Sequence, residues 1–127
     1  MNAHAWLELN TANLGAAKSF YTGLFGWSTN DMDMGEYGAY TMFGTEASPD
    51  SSFAGLVDTT TEMGAMLPSG WVIYFNVDDV DAAVAKVTAT GGTAFGPAFD
   101  IPSVGRAALV ADPQGNKFYL FKSSNPA

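Results

Sequence analysis

The chain has no cysteine, which excludes disulfide staples, thiolate nucleophiles and cysteine-based zinc sites. Basic residues are also scarce. Five Lys+Arg against thirteen Asp+Glu leave a net charge of −8, the opposite of the footprint that neutralises phosphates or anionic lipid. Nucleic acid and acidic membrane surfaces are therefore poor partners. No uncharged apolar run approaches the ~20 residues that a bilayer span requires. The opening MNAHAWLELN lacks a basic segment followed by an apolar run and a small-residue cleavage site, so no secretory leader and a cytoplasmic location are expected. No Walker or dinucleotide fingerprint occurs, and the pair Gly91–Gly92 closes an expected helix instead of opening one. The sole histidine, His4, has no second imidazole to work with and reads as an edge-strand residue.

What is present is apolar and aromatic. Hydrophobic residues make up 47% of the 127 positions and aromatics 13%, enough to offset the entropy of ordering a chain this long and to exclude intrinsic disorder. The length fits one domain, or two half-size units sharing a core. The second option has support in the sequence itself. Displacing the chain by 66 positions sets Leu7 on Ile73, Leu9 on Phe75, Asn10 on Asn76, Asn13 on Asp79 and Leu14 on Val80, and then Ala16, Ala17 and Gly26 on Ala82, Ala83 and Gly92. Each match keeps a structural role as well as a residue type, the mark of an internal repeat.

Each copy opens with a strand-like run, AWLELNT or WVIYFNV. A helix follows, with Asn13 or Asp79 as N-cap, an apolar stripe at Leu14, Ala17, Tyr21 and Leu24 or at Val80, Ala83, Val84 and Val87, and a glycine stop near Gly23–Gly26 or Gly91–Gly92. Three strands are then expected near 27–33, 38–44 and 52–58, and near 93–99, 105–111 and 117–123. The clearest turn between strands is Asp112-Pro113-Gln114-Gly115-Asn116. The expectation is an α+β fold of two tandem βαβββ modules, about 3–58 and 71–124, joined by a linker at about 59–70. A four-stranded half has a naked apolar face, so the modules are expected to share a curved mixed sheet around a cleft.

The helix entry NLGAAKSFYTGLFGW, the run YFNVDDVDAAVAKVTATGG and the segment DIPSVGRAALVADPQGNKFYLF together resemble the vicinal oxygen chelate superfamily. That superfamily includes glyoxalase I, extradiol dioxygenases and the bleomycin- and fosfomycin-resistance proteins. The resemblance implies metal ligands on the first and last strands of each module. Counted from the flanking motifs, those positions fall on Trp6, Val72, Tyr119 and a residue within Phe53–Val57. Indole offers only an N–H donor, valine offers nothing, and neutral tyrosine is an uncommon ligand, so no metal and no cofactor are expected. Asp31 and Asp33 read as loop residues, and Asp78, Asp79 and Asp81 as helix N-terminal charges, rather than as metal clusters.

Strand alternation then puts Trp6, Glu8 and Asn10, Val72, Tyr74 and Asn76, and Tyr119 and Phe121 on one set of inward faces. Such an apolar pocket with a few polar handles suits a small, partly aromatic or apolar ligand in the cleft between the modules. Glu8 is the candidate general acid or base, since a carboxylate desolvated among aromatics has its pKa raised unless it is paired. Arg106, the only arginine, is expected either to reach an anionic ligand group or Glu8 or to pair on the surface. Met32 and Met34 are expected as a pliable lid over the cleft. The alternative to ligand binding is a lyase, isomerase or dioxygenase with a relocated metal site or with Glu8 in acid–base chemistry. A homodimer is compatible with either.

Overall fold

The structure, a computed structural model, describes residues 4–33, 39–62, 64–101 and 104–124. The fold is α+β and its described residues divide into two compact units, Trp6–Val72 and a second that runs from Ile73 onward and takes in His4 and Ala5 at the start of the first strand. The first carries the order βαβββ, and the second the same order with the strand after its helix in two pieces.

The first unit is built from β1 (His4–Thr11), α1 (Leu14–Phe25), β2 (Ser28–Asp33), β3 (Ala39–Gly44) and β4 (Ser52–Asp58). Its strand order is β2-β3-β4-β1. β4 runs parallel to β1, with Glu8 opposite Gly55 and Asn10 opposite Val57, and β3 pairs antiparallel with both β2 and β4. The helix begins where Asn13 Oδ1 accepts from the Ala16 amide, 2.9 Å away, satisfying one of the free N–H groups of the first turn. It ends at Gly26, whose φ of 73° lies in the left-handed region that other residues reach only under strain. Of the stripe foreseen from the spacing, Leu14, Ala17 and Tyr21 pack onto the sheet, whereas Leu24 is exposed. Leu9, Ala17, Phe43, Ala54 and Leu56 form the core, with Leu7, Leu14, Tyr21, Trp27 and Phe53 against it. Burying one such leucine or phenylalanine fully is worth about 1.5–3 kcal/mol. Trp27 stacks on Phe25 at 4.4 Å between ring centres and meets Phe53 edge-on at 4.7 Å.

β5 (Gly70–Asn76) continues from the first unit into the second, which adds α2 (Val80–Ala89), β6 (Thr93–Ala94), β7 (Phe99–Ile101), β8 (Gly105–Ala111) and β9 (Lys117–Ser123). β9 runs parallel to β5 and antiparallel to β8, and both β6 and β7 pair antiparallel with β8. Asp79 caps α2 by accepting from the Ala82 amide at 3.0 Å. Val80, Ala108, Val110 and Leu120 form the core beneath that helix. The single strand expected at 93–99 is in fact two short pieces on the same neighbour. Gly96, at φ 103°, together with Pro97, whose nitrogen carries no hydrogen to donate, breaks the ladder between them.

Asp31 and Asp33, expected in a loop, lie on β2, where Asp31 accepts from the Thr41 hydroxyl at 2.8 Å. No helix among the described residues is long and apolar enough to cross a membrane.

Candidate functional site

Strand pairing decides which side chains share a face, because directly opposed residues project the same way and their neighbours project oppositely. In the first unit the helix side of the sheet carries Leu7, Leu9, Phe43, Ala54 and Leu56. The opposite side carries Trp6, Glu8 and Asn10 from β1, Met42 from β3, and Gly55 and Val57 from β4. This second face is not a solvated one. Glu8 is 6% exposed, Asn10 1% and Met42 3%.

Three features give this face its chemistry. The Trp6 indole N–H donates to the Tyr40 hydroxyl at 3.2 Å. The hydroxyl end of Tyr40 lies over β4 at Gly55, so close that a Cβ at position 55 would coincide with the phenol oxygen. Glycine is therefore required there by close approach of a side chain rather than by backbone angle. Finally, the Asn10 Nδ2 group donates to the Pro68 carbonyl at 2.7 Å, while its Oδ1 is buried without a hydrogen-bond partner among the described residues.

In the second unit the corresponding face is aromatic. Tyr74 on β5 and Tyr119 on β9 are directly paired, and their rings stack at 4.3 Å with an interplanar angle of 12°. Phe121 meets Tyr74 edge-on at 5.9 Å. All three are buried, and Asn76 is half-buried opposite Phe121. On β5 the alternation is as expected, with Val72 and Tyr74 buried and Trp71 and Ile73 exposed.

Arg106 and Met32 stand apart from these faces, Arg106 in the surface pairing that was one of its two expected roles. Arg106 lies opposite Lys122 and one residue out of step with Ala107 and Phe121, so it projects to the α2 side, away from Tyr119 and Phe121. There its Nε and Nη2 hold the Asp81 carboxylate at 2.9 and 2.8 Å, and Nη1 holds Asp100 at 3.0 Å. This is surface pairing with α2 and β7, with Asp81 and Asp100 taking the place foreseen for Glu8 or a ligand anion. The guanidinium keeps the Asp81 carboxyl below the usual carboxylate range. Met32 stands on β2, which extends through Asp33, and is exposed on a strand instead of forming a loop lid. Met34 lies outside the described residues. Sequence reasoning missed Tyr40, Gly55 and Pro68. The spacing of YGAYTMFG offered a signal for Tyr40, but the Pro68 contact joins residues 58 positions apart and leaves no local trace.

No group of three or more His, Cys, Asp or Glu side chains that could hold a metal ion occurs among the described residues. The positions to which the resemblance assigns ligands do not fit one either. Trp6 is a donor already engaged by Tyr40, Val72 has no donor atom, and Tyr119 is stacked on Tyr74. In β4 the face shared with Glu8 carries Gly55 and Val57, which bring no ligating side chain.

Comparison with known proteins agrees with this architecture. Residues 4–120 match the profile of the Glyoxalase/Bleomycin resistance protein/Dioxygenase superfamily. CFP32 of Mycobacterium tuberculosis (strain CDC 1551 / Oshkosh), provisionally named a glyoxylase, is 38% identical over 120 residues, covering 94% of this chain and 45% of that protein. The anthracycline biosynthesis protein DnrV of Streptomyces peucetius is 32% identical over 130 residues, covering 94% and 46%. The chain thus spans about half the length of these curated relatives. In fold it is similar to a Streptomyces coelicolor methylmalonyl-CoA epimerase variant in complex with 2-nitronate-propionyl-CoA, at a TM-score of 0.64 and 18% identity, covering 98% of this chain and 99% of that one. With the profile spanning nearly the whole chain and two βαβββ units beneath it, the chain belongs to the Glyoxalase/Bleomycin resistance protein/Dioxygenase superfamily.

Proposed function

We propose that this protein takes up a small, partly aromatic or apolar molecule on the helix-free face of its Trp6–Val72 unit, without the metal used by many members of its superfamily. One observation carries the reading. On the side of each sheet away from its helix, where a lone sheet would be polar and wet, the side chains are buried, aromatic and sparsely polar. The Trp6 and Tyr40 rings, joined by a hydrogen bond, offer aromatic surface to such a ligand. Glu8 and Asn10 supply the few polar groups that fix orientation. DnrV, a relative named for anthracycline biosynthesis, lends support to a polycyclic aromatic as the ligand type.

Thermal denaturation with a panel of planar aromatic compounds tests this. A ligand at a hundredfold excess over its Kd stabilises the folded state by about 2.7 kcal/mol, which raises the melting temperature by about 10 °C in a chain of this size. A panel that leaves the melting temperature unmoved counts against the reading. The metal-free part is tested separately, by elemental analysis of protein purified without chelator and by titration with divalent ions. Stoichiometric metal, or a large metal-dependent rise in stability, would overturn it.

A further inference from the structure

We infer that Asn10 reads a hydrogen-bond donor on the ligand, so that the molecule held on the face of the Trp6–Val72 unit is a planar aromatic with a free hydroxyl group. This rests on the reading of that face as a ligand site and adds to it the chemical class of the ligand.

The inference starts from the orientation of one amide. Asn10 is 1% exposed, and its Nδ2 donates to the Pro68 carbonyl oxygen at 2.7 Å. Turning the amide over would press two acceptor oxygens together at that distance, so the contact fixes which end is nitrogen and which is oxygen. The oxygen end then has no choice of role. Oδ1 is an acceptor, buried, with no hydrogen-bond partner among the described residues.

A buried carbonyl oxygen with no donor costs free energy that is recovered when a donor reaches it. Asn10 cannot relieve the cost by rotating, because doing so would surrender the bond to Pro68. The site is therefore built to reward a donor and to penalise a group of the same shape without one. This is the arrangement from which hydrogen-bonding pockets derive their strongest discrimination. The surroundings choose among donors. Asn10 is opposed by Val57, and Met42 and Gly55 lie on the same face with Glu8 two residues along β1, so that apolar groups on which a neutral ring costs little to bury stand beside a second acceptor that a hydroxyl can also serve. A hydroxyl on a flat aromatic frame meets both demands.

The test compares anthraflavic acid, a planar dihydroxyanthraquinone, with its dimethyl ether, which keeps the ring system but cannot donate. Calorimetric titration of the wild-type protein should show the hydroxylated compound binding about tenfold more tightly. In Asn10→Leu, which removes the acceptor at similar volume, the preference should fall to about onefold. Equal affinity of the two compounds for the wild-type protein would overturn the inference while leaving ligand binding intact. A preference that survives in Asn10→Leu would also overturn it, since Oδ1 then serves only a resident water. Binding of neither compound removes both this inference and the reading beneath it. The wild-type comparison stands alone should the variant fold poorly.

Discussion

At the scale of single residues, the most constrained contact on the candidate face is between Gly55 and Tyr40. The phenol lies where any Cβ would be, so Gly55→Ala must expel the ring or shift β4 against β3. Overpacking of this kind costs about 1–3 kcal/mol. Urea denaturation should show that loss in Gly55→Ala, and should show much less of it when the same change is made in a Tyr40→Ala background, because the collision is then absent. Additive losses would mean that Tyr40 does not rest on Gly55. Arg106 shows how much of the site could have been read from the chain. Alternation alone puts it in step with Ala108 and Val110, the α2 side of β8, once that strand is placed. What alternation could not supply was the partner, since Asp81 lies 25 positions away on another element. Glu8 and Asn10 were legible as inward-facing because β1 alternates regularly, and the Asn10 contact to Pro68 was not, because nothing local encodes it.

At the scale of elements, the helices were the most legible parts. Asn13 and Asp79 occupy equivalent places 66 positions apart, and each accepts from the amide three residues on. Asp79→Ala should therefore destabilise the protein by about 1 kcal/mol in chemical denaturation, whereas Asp79→Asn or Asp79→Ser, which keep a capping oxygen, should cost a few tenths at most. An alanine variant as stable as the parent would show that the cap contributes nothing. The strands at 105–111 and 117–123 are found at Gly105–Ala111 and Lys117–Ser123, because regular alternation on both sides of a proline- and glycine-bearing turn leaves little freedom in their ends. The strand expected at 93–99 failed for a reason already written in its sequence. Gly96-Pro97 is a break signal, outweighed in the reading by the apolar residues around it.

For the whole molecule, charge governs the response to acid. Asp58, Asp81 and Asp112 are all held below the ordinary carboxylate range. For Asp58 the cause is chiefly the Thr60 hydroxyl, for Asp81 the Arg106 guanidinium, and for Asp112 the Asn116 side chain. A carboxyl whose pKa is lower in the folded state binds fewer protons there than in the unfolded chain. Its contribution is complete above the unfolded pKa of about 4 and disappears as pH falls through the folded value. Stability measured by urea titration should thus lose these contributions below about pH 4, and Asp112→Asn should flatten part of that loss. A variant with the parent's pH profile would remove Asp112 from the account. Easing of the mutual repulsion in a chain of net charge −8 works in the opposite direction as carboxylates are protonated, so the observed slope is the difference of the two.

The tryptophans have a spectroscopic consequence. All three, Trp6, Trp27 and Trp71, fall within Trp6–Val72, and the rest of the chain has none. Indole emission is therefore a native label for one half of the molecule, while far-ultraviolet circular dichroism sums over both. Recorded together during a melt, the two signals become a cooperativity gauge that needs no engineered probe. Superimposed curves would report halves that unfold as one, and a separation between them would give the order in which they come apart.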